Sequence, residues 1–408
     1  MRITRNAREV PREMTMPLDS ACPSCGGRVG ASFYDLPAIP TNSCLLISDR
    51  EAARDFPVAP LRLSCCPDCG FIFNAAWEAS RTVYSDAYEE TQGFSPTFNA
   101  FHERLARDLI ARHDLHGKRV VEIGCGKGEF LALLCRLGDN DGVGYDPSFV
   151  PGRLDAAATG GRARFIREFF DEQTGPVSCD FLCCKMTLEH IPDVGRFIGM
   201  IRRALDGQAD TRVFFQVPNA RRVLQDVAFW DIYYEHCSYF TAQSLSNLFE
   251  RSGFAVDRVW TDYDDQYLMI EARPASTRMP ISARADAVAE IQQGIEEFRQ
   301  NVGTAITTWR RYLKDMAAGG RRTVLWGSGS KAVAFLTTLG LDGEVASVVD
   351  INPFRHGRYL PTTGHEIVSP DELSTIPPDL VVIMNPVYRD EIRRMLRTQG
   401  CEPEIRCV

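Results

Sequence analysis

The stretch Val120-Val121-Glu122-Ile123-Gly124-Cys125-Gly126-Lys127-Gly128-Glu129-Phe130 decides how this chain is read. Two β-branched residues finish a buried strand, Glu122 precedes the turn, and glycines at 124, 126 and 128 let the backbone bend sharply. A helix is predicted to follow over Glu129–Leu137. A strand that turns through glycines into a helix N-terminus is a ligand cradle, because backbone N–H groups approach a small molecule with no Cβ in the way.

Outward from this cradle the chain alternates strand and helix. Strands are expected over Arg119–Ile123, Gly142–Tyr145, Arg164–Ile166, Cys179–Cys184 and Thr211–Val217, with a helix over Phe98–His113. That alternation implies an α/β fold with a doubly wound parallel sheet. With 408 residues the chain exceeds one hydrophobic core, so two or three domains are expected. A hydrophobic content of 44% and a charged content of 25% are those of an ordinary globular protein, with no apolar run of membrane-spanning length. The net charge of -8 argues against a nucleic-acid partner, which needs clustered Lys and Arg. The first residues, MRITRNAREV, are charged and lead into no apolar core, so a cytoplasmic location is expected. Composition leaves monomer and homodimer both open.

Most of the 14 cysteines are scattered through apolar strands, where Cys behaves as a small hydrophobe. Those near the N-terminus are patterned: Cys22-Pro-Ser-Cys25 and Cys66-Pro-Asp-Cys69-Gly form two CxxC knuckles. Two knuckles supply a tetrahedral thiolate set for zinc, and four protein ligands leave no position for water, so Cys22, Cys25, Cys66 and Cys69 predict a structural Zn2+ site. This small zinc-binding domain is expected over residues 1–80.

Residues 81–97 are polar and carry Tyr84 and Tyr88. Two readings of them stand open, a wall of the active site and a surface loop. Between Ile291 and Met316 apolar residues recur every three or four positions, which predicts one long amphipathic helix packing across domains. A second strand and glycine turn follows at Thr323–Lys331, with a further strand over Val345–Asp350. This is another half of a dinucleotide-type fold, and its weak GxG motif, with Lys331 adding charge, can cradle a phosphate.

The first turn spaces Glu122, Gly124, Gly126 and Gly128 more tightly than the GxGxxG of dinucleotide folds, in the pattern of enzymes that use S-adenosylmethionine. Asp146 ends the next strand about 20 residues on, where a carboxylate can accept ribose hydroxyls. Lys185-Met186-Thr187-Leu188-Glu189-His190-Ile191-Pro192-Asp193 follows the fourth strand, at the carboxyl edge where open α/β sheets bind ligands. EIGCGKG, YDP and LEHIPD together resemble a class I methyltransferase. With zinc knuckles before them and a second Rossmann-like domain after, nearly the whole chain resembles the three-domain sugar C-methyltransferase family of deoxysugar biosynthesis.

The resemblance implies a methyltransferase domain over 81–275 and a long helix plus Rossmann-like substrate domain over 276–408. It also implies a small-molecule acceptor that is a nucleotide-linked keto-deoxysugar. Cofactor contacts are expected from Glu122, Gly124, Cys125, Gly126, Gly128, Asp146, Lys185 and Met186. Trp230–Phe240 (WDIYYEHCSYF) crowds titratable groups and phenols beside the cleft. Methyl transfer to carbon needs a base to remove a proton next to a carbonyl, and a histidine does this near neutral pH. By resemblance Tyr233, Glu235, His236 and His190 match the family's catalytic residues. Tyr234 departs from the pattern, where the family has His, and Glu189 replaces a small residue. The alternative for Tyr233, Glu235 and His236 is a hydrogen-bonded corner under the sheet, and for His190 a role in shaping the cofactor site. Substrate contacts are expected from Tyr84, Tyr88, Lys331 and Asn385. The competing functions are methyl transfer to oxygen or nitrogen of another natural-product acceptor, a non-catalytic nucleotide-binding zinc scaffold, and a nicotinamide oxidoreductase at Gly327.

Overall fold

The computed structural model describes residues 21–154, 156–275 and 285–408. The chain starts with an antiparallel meander of β1 (Ser32–Pro40), β2 (Val58–Cys65) and β3 (Ile72–Asn74), with the short helix α1 (Arg50–Arg54) between the first two. Along β2 the side chains alternate, so Ala59, Leu61 and Leu63 are buried while Arg62 points out.

The central layer is built around the glycine turn. The helix α2 (Pro96–His113) begins where the Ser95 hydroxyl accepts from the Phe98 N–H and Pro96 fills the first turn. It buries Phe98, Phe101, Leu105 and Leu109. Next come β4 (Arg119–Ile123), α3 (Glu129–Gly138), β5 (Asp141–Tyr145), β6 (Ala163–Ile166), β7 (Phe181–Lys185), α4 (Val194–Ala204), β8 (Arg212–Pro218), α5 (Ala220–Gln225), β9 (Ser238–Tyr239), α6 (Ala242–Arg251), β10 (Phe254–Asp262) and β11 (Tyr267–Pro274). The sheet order is β10-β11-β8-β7-β4-β5-β6. β8, β7, β4, β5 and β6 are mutually parallel, and β11 pairs antiparallel with β8 and β10. Every residue of β7 is buried, the signature of a parallel strand covered by helices on both faces. The five expected strands form within one or two residues. The alternation did not anticipate the hairpin β10–β11, and β9 leaves this layer to pair with β3. The sheet of the N-terminal region is thus completed from within the central region.

The long helix α7 (Ala285–Ala318) forms as its apolar period requires, while residues 276–284 lie outside the described residues. Phe298 meets Tyr34 of β1 edge-on, and Ile291 sits against Gly70 beside the second knuckle. Six further strands make the last layer: β12 (Thr323–Trp326), β13 (Ser347–Val349), β14 (Arg358–Tyr359), β15 (Glu366–Val368), β16 (Leu380–Ile383) and β17 (Glu404–Cys407). With α8 (Ser330–Leu339) and α9 (Arg389–Thr398) they form a second Rossmann-like unit of order β14-β15-β13-β12-β16-β17. Among the described residues no helix is long and apolar enough to cross a membrane.

Candidate active site

The turn after β4 has Gly124 at φ +68° and Gly126 at φ +55°. A Cβ at Gly124 would overlap the Thr187 side chain, and one at Gly126 would come within 2.7 Å of Glu90 Oε1. Asp146 at the end of β5 holds the turn open, with Oδ2 accepting from the Gly126 N–H at 2.8 Å and Oδ1 from the Ser148 N–H at 2.7 Å. A cavity of about 210 Å³ lies over this turn, lined among others by Glu122, Cys125, Asp146, Phe170, Lys185 and Met186. Burial pushes the Glu122 carboxyl up to about 7, with Lys185 opposing. The Lys185 amine packs against His102 Nε2 at 3.0 Å and over the Phe130 ring at 3.8 Å, so it forms cavity floor rather than a free charge. Met186, at the end of β7, has φ +50°. Gly128 departs from its expected ligand role: it caps α3, and Phe165 and Leu154 fill the space where its Cβ would go.

A second cavity, of about 330 Å³, adjoins the first and lies between the central and C-terminal layers. Tyr88, Glu90, Thr91, Gln92, Met186 and His190 line both. The two cavities therefore share one wall, and the polar segment carrying Tyr84 and Tyr88 is part of it. Tyr84 places its hydroxyl 2.9 Å from Nδ1 of His190. His236 stands edge-on to His190, with ring centroids 4.8 Å apart, and the Tyr233 ring is 4.1 Å from His236. Burial pushes His190 down to about 4. It pushes His236 well below the usual histidine range too, helped by His190 and Lys331, so both rings are neutral near pH 7. Burial holds the Tyr233 and Tyr84 hydroxyls well above the ordinary phenol range, so both stay protonated donors.

One residue of the loop, Glu235, does not sit where the sequence puts it. Glu235 accepts from the Tyr88 hydroxyl at 2.6 Å, from the Ser43 hydroxyl at 3.1 Å and from the Ser43 N–H. It lines neither cavity and clamps Tyr88 from beneath, with both carboxyl oxygens engaged by Ser43 and Tyr88. Tyr234, the departure from the family pattern, is fully buried and turned away, its hydroxyl accepting from the Glu78 N–H at 2.8 Å.

The second cradle closes the far side of the acceptor cavity. Lys331 is not a free charge: its amine donates to Asp231 Oδ2 at 2.9 Å and to Gln266 Oε1 at 3.3 Å. Gln266 in turn donates to Asn385 at 2.9 Å. Asp350 binds the Ser328 N–H at 2.8 Å, repeating in this unit what Asp146 does in the first. Ser43, Asp231, Gln266 and Thr187 are site residues that sequence reasoning missed. Asp231 and Thr187 lay within quoted stretches, but nothing local marked Ser43 or Gln266, whose partners are distant in the chain.

The four knuckle thiols converge as expected. Cys22 Sγ is 3.7 Å from Cys69 Sγ and Cys25 Sγ is 3.6 Å from Cys66 Sγ, with all four within reach of one ion.

A glycine turn fixed by a strand-end acid, opening onto a cofactor-sized cavity with a shared wall to a second one, is the working part of a class I S-adenosylmethionine-dependent methyltransferase. Residues 98–259 match the model of a methyltransferase domain and residues 272–401 that of a C-methyltransferase C-terminal domain. Together with the likeness that follows, the two matches support the S-adenosylmethionine-dependent C-methyltransferase family for this chain. It is 25% identical over 404 residues to the C-methyltransferase NovU of Streptomyces niveus, covering 93% of each chain. It is 30% identical over 105 residues to the ubiquinone biosynthesis O-methyltransferase of Aliivibrio fischeri, which is 24% of this chain and 44% of that one. Among solved structures it is similar to the 1,6-didemethyltoxoflavin-N1-methyltransferase of Burkholderia thailandensis, at 20% identity and a TM-score of 0.37 over 45% of this chain and 83% of that chain.

Proposed function

We propose that this enzyme methylates a carbon next to the ketone of a nucleotide-linked keto-deoxysugar. The observation that carries the reading is the pair of neutral, buried imidazoles, His190 and His236, at the wall between donor and acceptor cavities. An imidazole that is unprotonated at neutral pH can serve as the base that a carbon next to a ketone requires, and the likeness to a C-methyltransferase favours carbon over oxygen or nitrogen. Gly124, Gly126 and Asp146 would hold S-adenosylmethionine in the first cavity, and the cofactor when bound would supply an electrophilic methyl group. His236 removes the proton next to the ketone. The protonated Tyr233 hydroxyl donates to the enolate oxygen that develops. Tyr84 keeps its proton and donates to His190 Nδ1, which leaves the His190 proton on Nε2 at the shared wall. The clamp of Glu235 on Tyr88 closes the wall and excludes water.

The likeness to NovU supports carbon as the acceptor atom, and the second cradle, with Lys331, Gln266 and Asn385 facing the cavity, supports a nucleotide handle on the substrate. Lys331 must exchange Asp231 for a phosphate to bind one. The test is solvent deuterium exchange at the carbon next to the ketone, without methyl donor. Exchange that His236→Ala abolishes supports the reading, and a product methylated on oxygen or nitrogen by NMR overturns it. We also assign a structural zinc ion to Cys22, Cys25, Cys66 and Cys69. Thiolates about 2.3 Å from a tetrahedral ion stand about 3.8 Å apart, close to the observed separations.

A further inference from the structure

Glu189 is fully buried, lines the acceptor cavity, and neither of its carboxyl oxygens has a hydrogen-bond partner. An orphan carboxyl in a dry interior costs free energy unless something draws on it. Its Oε1 lies 4.0 Å from Nε2 of His236. We propose that Glu189 is the positioning partner of His236, taking the Nε2 proton when the imidazole accepts one from the acceptor carbon. This rests on the reading of His236 as the base.

The surroundings favour a proton as the thing shared. The groups facing the pair are His190 from the turn after β7, Tyr84 from the polar segment, and Cys184 from β7 itself. Tyr233 and Cys237 face it from the loop, Tyr267 from β11, and Lys331 from α8. The phenols and thiols are held protonated by burial, His190 is held neutral, and Lys331 is paired with Asp231. Burial pushes Glu189 itself up to about 8, which leaves it as the group of this set that titrates between pH 7 and 9. A divalent cation is the competing occupant of Glu189, His190 and His236. The requirement for an added divalent cation, tested below, separates that occupant from a shared proton.

The step balances as follows. The C–H bond next to the ketone breaks and its electron pair passes into the enolate. The proton goes to the free ring nitrogen of His236, and the ring's Nε2 proton goes to the Glu189 carboxylate. The pair gains one proton, and its charge changes from one negative to zero. The 4.0 Å gap closes to hydrogen-bond length when the acceptor fills the cavity, as catalytic contacts commonly tighten on binding.

The first test needs no acceptor. Histidine-selective NMR of the full-length, zinc-loaded protein with S-adenosylhomocysteine is titrated from pH 5.5 to 9.5. The His236 ring signals are expected to move through one step near pH 8, and Glu189→Gln is expected to remove that step. The second measures deuterium exchange into thymidine-diphosphate-linked 4-keto-6-deoxyglucose. The wild-type rate is expected to rise through pH 8, Glu189→Gln to lose that limb and fall at least tenfold, and Glu189→Asp to restore part of it, with acceptor KM little changed. If Glu189→Gln does not fold, Glu189→Asp carries the comparison, with a displaced step expected. A His236 step that survives Glu189 substitution, or exchange that requires an added divalent cation, overturns the inference. Exchange that survives His236→Ala overturns instead the assignment of the base.

Discussion

The hydroxyl of Tyr84 lies 2.9 Å from Nδ1 of His190, and this one contact ties the polar segment before α2 to the wall that both cavities share. Tyr84→Phe frees the His190 ring. Loss of one buried hydrogen bond of this kind is expected to lower turnover about 10- to 100-fold, with S-adenosylhomocysteine affinity by calorimetry nearly unchanged. An equal loss of cofactor affinity and turnover would show that Tyr84 serves the donor cavity instead.

Gly124→Ala places a methyl group on the Thr187 side chain at a backbone φ of +68°. The cradle must shift, and a residue forced into that conformation costs about 1–3 kcal/mol before the clash is counted. Calorimetry is expected to show at least tenfold weaker binding of S-adenosylhomocysteine, with circular dichroism retained. Unchanged binding would mean that the turn does not hold the cofactor.

Removal of zinc is expected to unfold the N-terminal sheet first. Elemental analysis should find one zinc per chain, and Cys66→Ser should lose it and lower Tm by several degrees. The damage reaches the active site, because β9, just after His236, pairs with β3 beside the second knuckle. A full complement of metal in Cys66→Ser would refute the ligand set.

Glu189 and His190 pull stability in opposite directions between about pH 4.3 and 6.5, and from there to about pH 8 Glu189 lowers it. Burial raises Glu189 to about 8, above its unfolded value near 4.3, so as pH climbs between these limits the unfolded chain ionises first and stability is lost. Burial lowers His190 to about 4, below an unfolded value near 6.5, so stability is lost again as pH falls through that window. Thermal melts at pH 5, 6, 7 and 8.5 check this. Glu189→Gln is expected to gain stability at pH 8.5 relative to wild type and to gain little at pH 5.

Lys331→Met breaks the contact with Asp231 across the acceptor cavity. It is expected to raise acceptor KM about 10- to 100-fold, the loss of one charge-assisted contact worth about 1.5–3 kcal/mol, while cofactor affinity holds. If acceptor KM is unaffected, the second cradle is a lid and not a binding site.

Much of the fold was legible because it is written in local pattern. The alternation of apolar runs and glycine turns marked β4, β5, β7 and β8 within a residue or two, and the three-to-four spacing marked α7. The hairpin β10–β11 was not legible, since its pairing with β8 is a contact between segments far apart in the chain. The site divides along the same line. The glycine turn, Asp146, His190 and His236 were found in motifs, whereas Ser43 beneath Glu235 and Gln266 beside Lys331 carry no local mark.

The sequence by itself determined the methyl-donor cradle and the four-thiol knuckles, because each needs particular residue types at fixed short spacing. Only the tertiary structure decided which loop side chains are already paired and which stand open to the cavity. Glu235 looked catalytic but spends its lone pairs on Ser43 and Tyr88, while Glu189 looked like a departure from pattern and stands unpartnered beside His236. The physical reason is that a carboxyl's reactivity is set by what surrounds it, through burial and hydrogen bonds made by segments the local sequence does not contain.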